Sequence, residues 1–228
     1  MAIEEVEDME RPSVIVVGAS SFGRQIAQYL VDGGRRVAGY LDDDPLARPG
    51  GGYDILGTTG SYVPDDSHEV LISVSKPAHR KAIAEQLLAK GAVLHTFVHP
   101  TAYVAGDAEI GEGSIVCPLS HIGSGARLGR NVLVNTHTLV GHDVRIGPHS
   151  ALMHACINGG SSLGEGVFAG TYAAVNPNRS VGSWSRIAAG SVVYKDMGDR
   201  VLVSGNPARA GPLLSQDPQS ATSGGYDG

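Results

Sequence analysis

The sequence predicts a small α/β domain followed by a parallel β-helix, and three observations carry this prediction. A six-residue aliphatic period fills the C-terminal half, and a strand, glycine turn, helix and strand pattern opens the chain. The composition suits both, because 32 glycines and only 5% aromatic residues fit a core built from Val, Ile, Ala and Ser. A length of 228 residues fits one or two domains.

The N-terminal segment predicts a compact βαβ unit. Ser13 to Val17 is an apolar strand, a glycine turn opens a helix that runs to Gly33-Gly34, and Val37 to Leu41 is a second strand. A third strand is predicted at Glu69 to Ser75, followed by a helix from Lys76-Pro77 to Gly91. These elements predict a doubly wound, Rossmann-like domain of about ninety-five residues, with room for a nucleotide or sugar but scarcely for NAD.

The glycine turn reads G-x-S-x-x-G and matches the dinucleotide fingerprint only in part. A helix N-terminus with free amides can hold a phosphate, and carboxylates after the second strand could accept from hydroxyl or amino groups. The structural alternative is that the two glycines only permit tight packing of strand against helix. Context favours phosphate–sugar binding, and the candidate substrate-binding residues are Gly18, Ser20, Ser21, Phe22, Gly23, Asp42 and Asp43.

The repeat begins at Val98 and keeps its phase for ten units. Four positions after each aliphatic residue lies a small or β-branched residue in almost every unit. A period of six fits neither a helix of about 3.6 residues per turn nor a simple strand alternation, so it predicts a repeat architecture. The aliphatic positions are Val98, Val104, Ile110, Val116, Ile122, Leu128, Val134, Val140, Ile146 and Leu152, then, after a slip of one residue, Leu163, Ala169, Val175, Val181, Ile187 and Val193.

Three such units make a triangular coil of about eighteen residues, and stacked coils share a core that a single coil could not bury. The aliphatic and small residues are expected to point inward. Glycine often follows the aliphatic residue, as in Ile110-Gly111, which fits a corner where φ is positive or where chains approach closely. The break of phase is assigned to the turn at Asn158-Gly159-Gly160.

Charge and cysteine content narrow the class of protein. A formal net charge of -6 gives no reason to expect nucleic acid or a membrane surface. Cys117 and Cys156 form no disulfide framework, and no apolar run reaches transmembrane length, so a cytoplasmic protein is expected. The predicted segments are a disordered N-terminus at 1–12, the Rossmann-like domain at 13–97, the β-helix at 98–194, a C-terminal cap at 195–214 and a disordered tail at 215–228.

Five of the nine histidines lie between residues 121 and 154, on an otherwise aliphatic scaffold. His142 with Asp143 is the candidate general base, because an imidazole can take a proton near neutral pH and an adjacent carboxylate can orient the ring. The alternative is a solvated surface histidine. Histidines of equal phase twelve residues apart should lie on different faces of one chain. No role is assigned to His121, His137, His149 or His154.

Five motifs along residues 13 to 210 resemble one family. They are V-G-A-S-S-F-G at 17–23, Leu41-Asp42-Asp43, His99-Pro100, Asn135 to Gly147 and Gly205 to Arg209. In this order they resemble the bacterial sugar acetyltransferases of the left-handed β-helix (hexapeptide repeat) superfamily. The similar members are the sialic acid O-acetyltransferases and the N-acetyltransferases of nucleotide-linked 4-amino sugars.

The resemblance implies a homotrimer that binds acetyl-CoA between adjacent β-helices and needs no metal. His142 and Asp143 would supply the base for direct attack of a sugar amine or hydroxyl on the thioester, while a backbone amide stabilises the developing charge. The N-terminal turn would bind a nucleotide sugar, although Phe22 stands where family members often carry histidine. The implied cofactor-binding residues are Gly159, Gly160, Ala169, Gly170, Ala188, Ala189, Pro207 and Arg209.

Two other functions stay open at this point. The γ-type carbonic anhydrases share the fold, and His137 and His142 have the five-residue spacing of two of their zinc ligands. A third ligand is lacking at the family's spacing, since only His99 or His121 lies upstream in the repeats. Alternatively, the N-terminal domain would sense a ligand and the β-helix would be a non-catalytic trimeric stalk.

Overall fold

The computed structural model describes residues 11–213, and its N-terminal part is the predicted α/β domain. Nearly all of the predicted disordered N-terminus and the whole predicted disordered tail lie outside the described residues. Four parallel strands in the order β3-β2-β1-β4 pack α1 on one face and α2 on the other. The elements are β1 (Ser13–Val17), α1 (Ser21–Asp32), β2 (Val37–Leu41), β3 (Ile55–Gly57), β4 (His68–Ile72) and α2 (Pro77–Ala89).

Strand β3 was not predicted from the sequence, and β4 ends three residues earlier than predicted. Strand β3 has three residues and lies at the edge of the sheet, so it has too little apolar alternation to be recognised. Strand β4 ends at Ile72, and at the next residue the Ser73 hydroxyl donates to the carbonyl oxygens of Val17 and Gly18. Both helices were predicted correctly, since Ser20 caps α1 and Pro77 begins α2.

The repeats form the predicted parallel β-helix. Its two-residue strands, β5 to β21, pair with the strands of the next coil and so build three parallel sheets. We name the sheets by what their outer surfaces carry. The charged face contains β7 (Glu109–Ile110), β10 (Arg127–Leu128), β13 (Arg145–Ile146), β16 (Ser162–Leu163) and β19 (Ser180–Val181). The apolar face contains β6 (Tyr103–Val104), β9 (His121–Ile122), β12 (Leu139–Val140), β15 (Cys156–Ile157), β18 (Ala174–Val175) and β21 (Val192–Val193).

The third sheet, the covered face, lies against the N-terminal domain. It contains β5 (Phe97–Val98), β8 (Ile115–Val116), β11 (Leu133–Val134), β14 (Ala151–Leu152), β17 (Phe168–Ala169) and β20 (Arg186–Ile187). An antiparallel hairpin, β22 (Val201–Gly205) and β23 (Ala208–Pro212), continues this sheet. Along the chain the faces follow one another as covered, apolar and charged.

Register confirms the predicted inward positions but moves the break of phase. Partner residues are eighteen apart in the early coils, as in Val116 opposite Val134, and seventeen apart in Leu139 opposite Cys156. The short turn is therefore Met153–Ala155, between β14 and β15, and its assignment to Asn158–Gly160 was wrong. The error arose because Ile157 already follows the new phase. Val98 is also 38% exposed, because it belongs to the first coil.

The glycine at the start of a corner is needed because the backbone of the next coil lies close to it, and not because its φ is positive. A Cβ on Gly111 would lie 2.5 Å from the carbonyl carbon of Gly129 in the next coil, so that position must be glycine. The positive-φ positions come two residues later and often hold other residues, such as Asn131 at 53° and His149 at 61°. Polar side chains tolerate this region better than β-branched ones.

The outward residues decide what covers each face. Ile115, Leu133 and Ala151 are fully buried against α1 and the sheet of the N-terminal domain. On the apolar face, by contrast, Tyr103 is 58% and Leu139 39% exposed. The N-terminal domain thus docks on one face and leaves the apolar face open. Among the described residues, no helix has the length and apolar character needed to cross a bilayer.

Candidate active site

The predicted site residues of the β-helix divide between the two edges of the apolar face. The edge that joins the apolar and charged faces carries His142, Asp143, Gly159 and Gly160, and we call it the imidazole corner. The edge that joins the covered and apolar faces, which we call the alanine corner, carries Gly170, Ala188 and Ala189. The structure of one chain therefore does not bring the two sets together.

Three further predicted residues lie near the alanine corner or in the core. The side chain of Ala169 points into the β-helix core and is fully buried, so only its backbone can face a ligand. Pro207 and Arg209 lie at the exposed turn of the β22–β23 hairpin. That turn reaches the coil below it, because the Gly205 amide donates to Ser191 Oγ at 3.2 Å.

His142 and Asp143 form a solvent-exposed pair. Nδ1 of His142 lies 2.9 Å from Oδ2 of Asp143, and both side chains are 72% exposed. Neighbours on a strand would point to opposite sides, but these residues lie in a corner, where Asp143 has a φ of 56°. A carboxylate accepts only, so Nδ1 carries a hydrogen, and in the neutral ring Nε2 then has the lone pair. This is the tautomer that a general base needs.

Gly159, which was predicted to bind the cofactor, lies directly against the His142 ring. A Cβ on Gly159 would lie 2.3 Å from Nε2 of His142, and its three nearest neighbours would all be atoms of that ring. The next amide, Gly160 N, donates to the His142 carbonyl oxygen at 2.9 Å. Only glycine at position 159 therefore leaves room for Nε2 of His142 in this position.

The N-terminal turn lies at the carboxyl edge of the parallel sheet. Asp42 accepts from the Ala19 amide at 2.7 Å and so orders the turn, while Ser20 caps α1. Asp43 faces elsewhere, because it accepts from the amide and hydroxyl of Thr59, both at 2.7 Å. The structure thus brings Asp42 to the turn and leaves Asp43 bonded toward β3.

The other predicted residues of the turn have distinct surroundings. Gly18 has a φ of +103°, and a Cβ on Gly23 would lie 1.8 Å from the Gly18 carbonyl oxygen, so both glycines are required sterically. Ser21 is exposed at the start of α1. Phe22 is partly buried against the cluster that joins the N-terminal domain to the covered face.

The alanine corner also holds a histidine pair that the six-residue phase did not predict. The rings of His137 and His154 stack at 6.4 Å, and Nε2 of His154 lies 2.8 Å from Thr136 Oγ1. Equal phase had grouped His137 with His149 instead. The short turn at Met153–Ala155 shifts His154 into register with His137, so a correct placement of the gap was the signal that could have found the pair.

The triangular section of the coil separates the N-terminal turn from His142. The imidazole corner joins the apolar and charged faces, so it is the vertex opposite the covered face. The N-terminal domain packs on the covered face. Within one chain, the glycine turn and His142 therefore lie on opposite sides of the β-helix.

The histidines and cysteines raise two other kinds of site, a metal centre and a thiol nucleophile. Within the part of the chain that the structure describes, no group of three or more His, Cys, Asp or Glu is placed to hold a metal. Burial raises the pKa of the Cys117 thiol to about 12, and burial also raises the pKa of Cys156. A nucleophilic cysteine needs a lowered pKa, so these environments do not favour one.

Comparisons with known proteins cover both domains. Residues 13–87 match the PglD N-terminal domain family. The GDP-perosamine N-acetyltransferase of Escherichia coli O157:H7 is 27% identical over 207 residues, which span 85% of this chain and 94% of that protein.

Two solved structures are similar over nearly the same extent. PerB from Caulobacter crescentus, in complex with CoA and GDP-perosamine, has a TM-score of 0.82 at 27% identity, over 87% of this chain and 97% of that one. The acetyltransferase domain of PglB from Neisseria gonorrhoeae FA1090, in complex with acetyl coenzyme A, has a TM-score of 0.82 at 30% identity. That likeness covers 88% of this chain and 99% of the domain.

Proposed function

Because this chain belongs to the hexapeptide-repeat acetyltransferases of the left-handed β-helix superfamily that carry a PglD N-terminal domain, we propose that it acetylates the amino group of a nucleotide-linked sugar from acetyl-CoA. The membership confirms the resemblance stated from the sequence motifs. One observation carries the proposal: Nδ1 of His142 lies 2.9 Å from Oδ2 of Asp143, an arrangement that directs Nε2 of the neutral ring to accept a proton. An amine is proposed over a hydroxyl as the acceptor because one relative is a GDP-perosamine N-acetyltransferase and a similar structure contains GDP-perosamine.

The chemistry requires a base, a thioester and an amine in line. Nε2 of His142 takes a proton as the sugar nitrogen attacks the thioester carbonyl; the C–N bond forms and the C–S bond then breaks. The imidazolium returns the proton to the leaving thiolate, so CoA departs as the thiol. Asp143 stabilises the imidazolium through the hydrogen bond to Nδ1. No covalent enzyme intermediate is needed.

The N-terminal turn binds the acceptor, which is the nucleotide-linked sugar. Amides at the start of α1 face the carboxyl edge of the sheet, where a helix N-terminus favours a diphosphate. Asp42 orders this turn by accepting a hydrogen bond from the Ala19 amide. Because the turn and His142 of one chain lie on opposite sides of the β-helix, the sugar would project toward the imidazole corner of a neighbouring protomer.

A homotrimer accounts for the division of the site between two edges. The imidazole corner and the alanine corner bound the same apolar face, whose Tyr103 and Leu139 are exposed in one chain. If the imidazole corner of one protomer meets the alanine corner of its neighbour, a groove for acetyl-CoA forms between them. A rotation that closes after three copies makes every such contact equivalent.

The test is a thiol-release assay with acetyl-CoA and UDP-, GDP- and dTDP-linked amino sugars, with mass spectrometry of the products. We expect one N-acetylated sugar and one free thiol per turnover, unaffected by chelators. Binding of acetyl-CoA without thiol release from any amino sugar would support a non-catalytic protein. Stoichiometric zinc with chelator-sensitive CO2 hydration would support the carbonic anhydrase alternative.

Gly159→Ala should reduce kcat about 10- to 100-fold, because an added methyl group must displace the imidazole and small misplacements of a catalytic group are costly. Gly106→Ala is the matched control, since Gly106 has the same place in its corner but has no atom within 4 Å of the added methyl group. Steady-state kinetics with both variants give the comparison. Equal kcat values for the two would mean that Gly159 does not position His142.

A further inference from the structure

A fully buried arginine joins the two domains without a carboxylate partner among the described residues. Arg80 lies on α2 and its side chain is inaccessible to solvent. Its guanidinium donates five hydrogen bonds to four neutral oxygens. The bonds are Nη1 to Ile72 O at 2.6 Å and to Val74 O at 2.9 Å, Nε and Nη2 to Asn131 O at 3.1 Å, and Nη2 to Asn131 Oδ1 at 2.5 Å.

These oxygens belong to both domains. Ile72 and Val74 flank Ser73 at the carboxyl end of β4, whereas Asn131 lies in the corner between the charged and covered faces of the β-helix. Asn131 answers with a bond from Nδ2 to the Arg80 carbonyl oxygen at 3.1 Å. The same Nδ2 lies 3.0 Å from Nδ1 of His149. The Arg80 guanidinium therefore connects the loop after β4 to one corner of the β-helix through hydrogen bonds.

The loop after β4 is in direct contact with the glycine turn. Ser73 Oγ donates to Val17 O at 2.7 Å and to Gly18 O at 3.1 Å. A Cβ on Gly18 would lie only 2.9 Å from Ser73 Oγ, so the two loops are in close contact. A displacement of Val74 is therefore transmitted to the turn that binds the nucleotide sugar.

The guanidinium is costly to bury, and its hydrogen bonds specify the geometry of the two loops as well as stabilising them. Burial lowers the pKa of Arg80 to about 9, which reflects the cost of removing its charge from water. An apolar side chain at this position would leave four oxygens without these donors, so a loss of stability is also expected and the thermal midpoint has to be measured beside the affinities. A lysine has a point charge in place of a rigid fork of five donors, so it could not hold both loops in one geometry.

We propose that Arg80 is a positioning residue for the acceptor: it fixes the β4–α2 loop, and through Ser73 the glycine turn, in one orientation relative to the β-helix. The inference rests on the proposed function for the identity of the ligand at the turn. Arg80 does not touch that ligand. Its loss should weaken binding of the nucleotide sugar and leave acetyl-CoA, which binds along the β-helix edges, unaffected.

The test compares Arg80→Met, Arg80→Lys and Asn131→Gly with Lys81→Met as the matched control. Lys81 also joins the domains, through Glu165 at 2.9 Å, but its bonds do not reach the β4 loop. Glycine at 131 removes the amide side chain and tolerates the φ of 53°. For each variant, KM and calorimetric affinity are measured for the nucleotide sugar and for acetyl-CoA, with the midpoint of thermal unfolding.

We expect Arg80→Met to weaken binding of the nucleotide sugar about tenfold, with acetyl-CoA binding within about twofold of the unmodified chain. Arg80→Lys and Asn131→Gly should fall between, and Lys81→Met should change neither affinity. Unaltered sugar affinity in the Arg80 and Asn131 variants, or equal losses for both ligands, would overturn the proposal. If the unmodified chain binds the nucleotide sugar but does not turn over, the proposed function fails while the calorimetry still decides the role of Arg80.

Discussion

His142→Ala lowers kcat about 10²- to 10⁴-fold in our expectation, the range that a positioned general base usually contributes. The variant removes Nε2, the nitrogen that lies over Gly159, and leaves the surrounding backbone contacts in place. Because the side chain is 72% exposed, its loss creates no cavity and should hardly alter the thermal midpoint. Acetyl-CoA titrations and steady-state kinetics on the same sample separate binding from turnover.

His68→Ala is the matched control for this experiment. His68 also pairs with a carboxylate, Asp65, through Nδ1 at 2.8 Å, but it lies at the start of β4, far along the chain from the imidazole corner. Its replacement should leave kcat within about twofold. If His142→Ala retains normal turnover while the chain folds and binds acetyl-CoA, His142 has no part in the reaction.

Mixing two inactive variants should restore about a quarter of the unmodified activity, because each proposed site takes its turn from one protomer and its histidine from a neighbour. One variant is His142→Ala. The other is Ser21→Glu, which places a negative charge at the α1 N-terminus where a diphosphate would bind. An acidic residue there favours the helix, so the fold should not suffer.

The expected fraction follows from random assembly. In an equal mixture, half of the chains keep the turn and half keep His142, so about one site in four combines both. Activity is measured after co-refolding the two variants, and separately folded samples mixed without exchange of subunits give the baseline. Recovery no higher than that baseline would show that one chain supplies both parts, contrary to the placement of His142 opposite the covered face.

The β-helix could be predicted because its burial pattern is local and repeated. An inward residue such as Val116 is followed six positions later by another inward residue, Ile122, in similar surroundings. The same burial pattern is therefore repeated many times along the sequence. A single shortened unit is recorded only once, and the gap at Met153–Ala155 was therefore placed one unit late. The three-residue edge strand β3 has even less repetition and was not recognised.

The docking of the N-terminal domain left a trace that was overlooked. Ile115, Leu133, Ala151 and Phe168 are apolar at outward positions, about one coil apart, and the first three are fully buried beneath that domain. Outward apolar residues in every third unit mark a face suited to packing against another surface, although the apolar face carries them in most units too. Which element covers it depends on contacts between distant parts of the chain, and the sequence pattern carries no record of those.

By itself the sequence determined the coil, the inward residues, the strand–turn–helix of the N-terminal domain and the adjacency of His142 to Asp143, because all of these arise between residues close along the chain or related by a regular period. The tertiary structure alone decided which corner each candidate occupies. One missing residue changes the register of every later side chain, so it brings His154 onto His137 and sets the corners that follow. Packing of α2 against a distant corner then places Arg80 on Asn131 and the glycine turn across the β-helix from His142, since long-range contacts, rather than local spacing, orient one domain on the other.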